Sequence, residues 1–175
     1  MTHPHINLKR LIPVVLLAIL AIVIASATVG KDIYSGTAGN NLLSFAIVNL
    51  SGYLFFLVMP VELAFIYYLH VGVDIYLLNA LAIGTAMCSQ LIDYIIGRSF
   101  STRIIDRLIG RRRYEKAEAE IRKYGNIAIL LFNLLPLSSP VILLAAGMLK
   151  HPLKEAVFYS FLGLLLKYLL MTLIF

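Results

Sequence analysis

The chain has 175 residues, 61% hydrophobic and only 14% charged, with a formal net charge of +6 and a mean hydropathy of +0.90. A soluble domain of this size cannot hide that much apolar surface in one core, so the composition excludes a water-soluble protein and calls for a bilayer. The single cysteine, Cys88, excludes an internal disulfide; set in an apolar run, it reads as a small buried hydrophobe.

Residues 1–10 are polar and end in Lys9-Arg10, and residues 11–29 carry no charge. That run is longer than the ~7–15 apolar residues of a signal peptide, so it reads as an uncleaved first span, although Ala25-Ser26-Ala27 resembles a cleavage site. A Gly/Asn-rich loop, 30–41, follows. Segment 42–69 is apolar but interrupted by Pro60 and Glu62, and 75–97 is a clear span. Segment 98–124 is basic, with nine Lys and Arg against four acids between Arg98 and Lys123, a net of +5. Its apolar residues Phe100, Ile104, Leu108 and then Tyr114, Ala117, Ile121 and Tyr124 recur at helical spacing. The pattern predicts an amphipathic pair of helices on anionic headgroups, with Arg103, Arg107, Arg111, Arg112 and Arg113 facing them. Nucleic acid is not an expected partner, because membrane segments flank the run closely. Segment 126–149 is apolar and broken by Pro136-Leu137-Ser138-Ser139-Pro140, and 156–175 is the last span. The whole chain, 1–175, forms one membrane domain.

Charge decides what the broken segments do. Cytoplasmic loops carry excess Lys and Arg, so Lys9-Arg10 places the N-terminus inside. If 42–69 crossed the membrane, the +5 segment would be exported. If it enters and returns on one side, 98–124 stays cytoplasmic. The same argument, more weakly, makes 126–149 a second re-entrant hairpin. The expected fold is therefore an all-α integral membrane protein of the cell membrane, with about three spanning helices, two opposed re-entrant hairpins and a cytoplasmic basic segment. Pro60, Pro136 and Pro140 are the expected hairpin breaks. A pair of Pro-interrupted apolar segments in corresponding positions also points to a transport site; two proline-kinked spans are the alternative.

Three ionisable residues lie within apolar stretches: Glu62, Asp93 and Lys167. A charge at the bilayer centre costs roughly 2.5–3.5 kcal/mol on insertion scales, so each needs a partner or a function. Glu62, just after Pro60, is a candidate proton carrier. Asp93 shares one helical face with Asn79, Ala82, Ala86, Gln90 and Gly97, a polar and small stripe that should face the bundle. A plain ion pair with Arg98 is its alternative. Lys167 is expected either to pair with Glu62 or Asp93 or to meet an anionic headgroup. Ser138 and Ser139 read as the cap of a half-helix rather than as nucleophiles. No nucleophile–base pair, metal-ligand spacing or cofactor motif is visible, so neither enzyme chemistry nor a bound cofactor is expected.

From about residue 45 to 170 the sequence resembles the DedA family, also called the VTT or SNARE-associated Golgi protein family. Pro60-Val61-Glu62 is similar to the Pro-x-Glu of its first hairpin tip. Tyr94-Ile95-Ile96-Gly97-Arg98 is similar to the Tyr-x-x-Gly-Arg ending the next span. Phe132 through Leu149, with Pro136 and Ala146-Gly147-Met148-Leu149, is similar to the second hairpin. Three departures stand out. Gln90 occupies the position where members usually carry Asp, and Asn133 and Ser139 occupy those of two arginines. The resemblance implies lipid flipping or scrambling, in some bacterial members coupled to protons and acting on phospholipid or polyprenyl phosphate. Glu62, Asp93 and Lys167 would then serve transport, and Gln90, Asn133, Ser138 and Ser139 would line a headgroup path. Membrane lipids are the expected partners, with a homo-oligomer left open. An ion-coupled solute transporter, or a structural protein recruiting partners through its basic segment, are the other readings.

Overall fold

The computed structural model describes residues 42–54, 61–99, 111–135 and 139–175; within these, the side chains of Arg111, Arg113, Tyr114, Ser139 and Pro140 are not described. All the described elements are helical: α1 (Leu42–Leu54), α2 (Val61–His70), α3 (Ile75–Ser99), α4 (Arg111–Tyr124), α5 (Asn126–Leu134), α6 (Ser139–Met148) and α7 (Leu153–Ile174). The expected first span 11–29, the breaks Pro60 and Pro136, and Ser138, Arg103 and Arg107 lie outside the described residues.

Among the described helices, only α3 and α7 are long and apolar enough to cross a membrane, at 25 and 22 residues. At 1.5 Å per residue they reach about 33–38 Å, enough for a ~30 Å hydrocarbon core. α3 starts where Asp74 caps it, its Oδ1 accepting from the Leu77 amide at 2.8 Å. Before it, α2 ends in a tight turn in which the Val73 amide reaches back to the Tyr68 carbonyl. Gly72, at φ 85°, supplies the left-handed residue that turn needs. α7 begins at Leu153, three residues before the expected 156, because Pro152 occupies its cap and the next residues are free to wind.

α3 and α7 pack antiparallel. Asn79, near the start of α3, bonds Thr172 near the end of α7 at 3.0 Å, and Tyr94 shares a core with Ala156 at the opposite end. Around this pair lie two cores. Phe45, Val48 and Tyr53 of α1 and Val61, Phe65 and Tyr68 of α2 close on Leu78, Ala82 and Ala86 of α3 and on Leu164 and Tyr168 of α7. The other core joins Val141 through Ala146 of α6 and Ile129 of α5 to Tyr94 and Ala156. The two broken segments thus pack at opposite ends of one antiparallel pair.

The stripe expected on α3 faces inward: Ala82, Ala86, Gln90, Asp93 and Gly97 are buried, and Asn79 partly so. Gly97 is required there. A Cβ on it would run into the Leu144 carbonyl of α6, and one on Gly147 would run into that of Tyr94. Cys88 corrects its expectation. It is exposed, because it falls two residues before Gln90 and so on the opposite side of the helix. The amphipathic stripe is corrected in part as well. Ala117 and Ile121 are buried in the α6 core instead of facing headgroups, while Arg112, Lys116, Arg122 and Lys123 remain on the exposed side of α4.

Candidate functional site

The polar residues of the interior form two clusters along the α3–α7 seam. The first lies where α1, α2, α3 and α7 meet. Lys167, 5% exposed, is ion-paired with Glu62, whose side chain is 28% exposed. The Lys167 ammonium also donates to the Tyr53 hydroxyl at 3.3 Å and lies 5.6 Å from the centre of that ring. The Tyr53 and Tyr168 hydroxyls are 3.2 Å apart, and Tyr168 donates to Asn49 Oδ1 at 3.1 Å. Asn49, fully buried, then donates through Nδ2 to the Ala82 carbonyl and to Thr85 Oγ1, each at 2.8 Å. A charge at one end is thus linked by hydrogen bonds to α3 at the other. Aromatic packing holds the frame, with the Phe65 and Tyr168 ring centres 4.8 Å apart.

Glu62 stands in the first turn of α2 because Pro60 and Val61 precede it in the sequence, and a carboxylate is favoured at a helix N-terminus. Lys167 is placed by α7, on the same face as Ser160, Gly163 and Leu164. Of the two partners expected for Lys167, the structure supplies Glu62. Asp93 lies just over two turns beyond Thr85 along α3, about 12 Å at 1.5 Å per residue.

The second cluster joins α3, α5 and α7. Asn133 Nδ2 donates to the Ile129 carbonyl at 2.9 Å and to Ser160 Oγ at 3.3 Å. Gln90 Nε2 donates to Asn133 Oδ1. Gly163 lets α7 come this close, since a Cβ there would sit 2.7 Å from that of Asn133. Asp93, one turn from Gln90, is fully buried, and neither carboxylate oxygen meets a donor among the described residues. The alternative for Asp93, an ion pair with Arg98, is not formed: Arg98 donates to the Tyr94 hydroxyl at 3.1 Å. Residues five apart on a helix do not face each other, which is the physical reason.

These polar clusters lie inside the bundle, between its two apolar cores, while α3 and α7 turn large apolar side chains outward. Tyr76, Ile92 and Ile95 of α3 and Phe158, Phe161, Leu169 and Leu173 of α7 are exposed, and only 28% of each helix's most apolar window is buried. That arrangement suits lipid and not water. The VTT domain family matches residues 44–175, three-quarters of the chain and every described element except the first two residues of α1.

The chain belongs to the VTT-domain family.

It is thus a membrane protein of the DedA, or SNARE-associated Golgi protein, family, as the motifs around Glu62, Tyr94 and Gly147 led one to expect. No curated protein and no solved structure matches it. Within the VTT domain, the structure joins Glu62 to Lys167 and Gln90 to Asn133, and keeps the two clusters separate.

Sequence reasoning passed over Asn49, Tyr53 and Tyr168. An amide and two tyrosines in apolar runs carry no periodic signal of their own; the signal available was that each polar group in a VTT core needs a partner. Asn49→Leu tests the connection. Removing the amide takes from Tyr168 its Asn49 acceptor and from Thr85 its Asn49 donor, leaving them the Tyr53 hydroxyl and the Leu81 carbonyl, and about 1 kcal/mol of stability should be lost. Thermal unfolding in detergent would read it as a lower midpoint; an unchanged midpoint would make the network incidental.

Proposed function

We propose that this VTT protein moves lipid, phospholipid or polyprenyl phosphate, between leaflets of the cell membrane, as a flippase or scramblase linked to protons through Glu62. The observation that carries the reading is the Glu62–Lys167 pair, with its lysine buried, set in the first turn of α2 and tied by Tyr53 into the α3–α7 seam. An ion pair inside a membrane protein is costly to keep and marks a pathway more often than a staple.

The rest follows from lengths and charge. α2, α5 and α6 have nine or ten residues, about 14–15 Å each, half the hydrocarbon thickness. α1, at 13 residues, is also too short to span, and two such short helices consecutive in the chain would make a re-entrant hairpin. Two such hairpins, at opposite ends of an antiparallel pair, would dip from opposite faces toward the midplane. Non-helical backbone at that depth is tolerated where it is covered by protein or lines a polar cavity. A headgroup would cross along the seam while its acyl chains stay in lipid, with Asn133, Gln90 and the Ser138–Ser139 cap on its path.

Protonation of Glu62 would release Lys167, whose ammonium could then meet a phosphate. The exposed Arg112, Lys116, Arg122 and Lys123 on cytoplasmic α4 would gather anionic headgroups at the entrance. No bond is made or broken in this cycle, so the protein acts as a transporter and not as an enzyme.

Reconstitution into vesicles holding a fluorescent phospholipid, with a quencher added outside, tests it. The expected result is quenching beyond the outer-leaflet plateau, changed by a pH gradient. Vesicles that stop at the plateau with every lipid tried, a polyprenyl phosphate included, would overturn it.

A further inference from the structure

Three buried oxygens on one face of α3 have no hydrogen donor among the described residues: Oδ1 and Oδ2 of Asp93 and Oε1 of Gln90. The two residues are 0% and 1% exposed and stand three apart, so they are neighbours on the helix.

The orientation of the Gln90 amide is fixed by its neighbours. Asn133 must point Nδ2 at the Ile129 carbonyl, 2.9 Å away, because a carbonyl only accepts. Its Oδ1 is then left as an acceptor, and Gln90 must turn Nε2 toward it. Flipping either amide would set like groups against each other. Gln90 Oε1 is therefore turned away from Asn133 by a series of bonds that starts at a backbone carbonyl.

Among the described residues, the two candidate cations for Asp93 have other partners. Lys167 is held by Glu62, and Arg98 donates to Tyr94. A proton on Asp93 could satisfy two of the three oxygens at most, the one that bears it and one acceptor. A single metal ion can contact all three. The site carries one negative charge, which a monovalent ion cancels and a divalent ion would overshoot. Carboxylate and amide oxygens suit a hard ion.

We infer that Asp93 and Gln90 form a binding site for a monovalent inorganic cation of the sodium or potassium class, held in place by Asn133 and Ser160. The site lies away from the Glu62–Lys167 pair and does not rest on lipid movement. Ion binding is read directly, so its failure would leave the transport reading standing.

The test is equilibrium binding of radioactive sodium and, as a stand-in for potassium, rubidium to the purified full chain in detergent at constant ionic strength. The wild type should bind one of the two tracers saturably, displaced by the unlabelled ion and not by choline. Asp93→Asn should lower affinity at least tenfold while eluting as a folded protein. Should that variant not fold, Gln90→Leu serves instead, with weaker binding expected and the carboxylate kept. Wild-type protein that binds neither tracer would overturn the site. Undiminished binding by Asp93→Asn, or by Gln90→Leu where that variant stands in, would overturn it equally.

Discussion

Glu62→Leu is expected to lower stability by about 3 kcal/mol, and adding Lys167→Met is expected to restore most of it. The single change leaves the Lys167 ammonium 5% exposed with a tyrosine hydroxyl and two ring faces in place of a carboxylate. An unpaired buried charge costs more than the pair contributed, because its desolvation is no longer offset. The double change replaces both charges with apolar groups of similar size. Lys167→Met alone should cost less than Glu62→Leu, because the Glu62 side chain is 28% exposed and can be hydrated. Heating each variant in detergent and measuring what stays monodisperse gives the order. A double variant no better than Glu62→Leu would mean that the two side chains are not coupled.

Gly147→Ala is expected to cost about 3 kcal/mol or more, whereas Gly84→Ala should be neutral or stabilising by about 0.5–1 kcal/mol. The substitution is the same and the surroundings are opposite. At Gly147 the new methyl would run into the Tyr94 carbonyl and lie 3.0 Å from the Arg98 amide nitrogen, and neither backbone atom can step aside without moving α3. Gly97 meets α6 in the same way from the other side, so the two helices are in backbone contact at this point. At Gly84 nothing lies within 4 Å, and the only effect is the better helix propensity of alanine. The same heating experiment compares them. Equal tolerance at both positions would mean that α3 and α6 pack further apart than described.

What could be read from the sequence was what has a period or a cost. The α3 stripe from Asn79 to Gly97 was legible because polar and small residues three or four apart in an apolar run must turn inward. Glu62 and Lys167 were legible because charges in such runs are expensive, and a pairing between them was one of two options. The choice between Glu62 and Asp93 was not legible. It depends on the register of α7 against α3, and α7 has too few polar residues to show that register: Ser160, Lys167 and Thr172 are spread over its length. Cys88 was misread because an apolar run does not say which of its faces is covered, and the alternative pairing of Asp93 with Arg98 took nearness in sequence for nearness on the helix. The inward turn of Ala117 and Ile121 escaped notice because an apolar stripe looks the same whether lipid or α6 covers it. The VTT motifs located the broken segments but not the packing of each against a different end of the α3–α7 pair.

The most direct test of the account is lipid movement in reconstituted vesicles by the wild type and by the Glu62→Leu, Lys167→Met double variant. The double variant should be folded and lack only the ion pair. The account predicts quenching of the inner-leaflet label with the wild type and none beyond the protein-free plateau with the double variant. Equal movement by the two proteins would show that lipid does not depend on this pair, and would contradict the account.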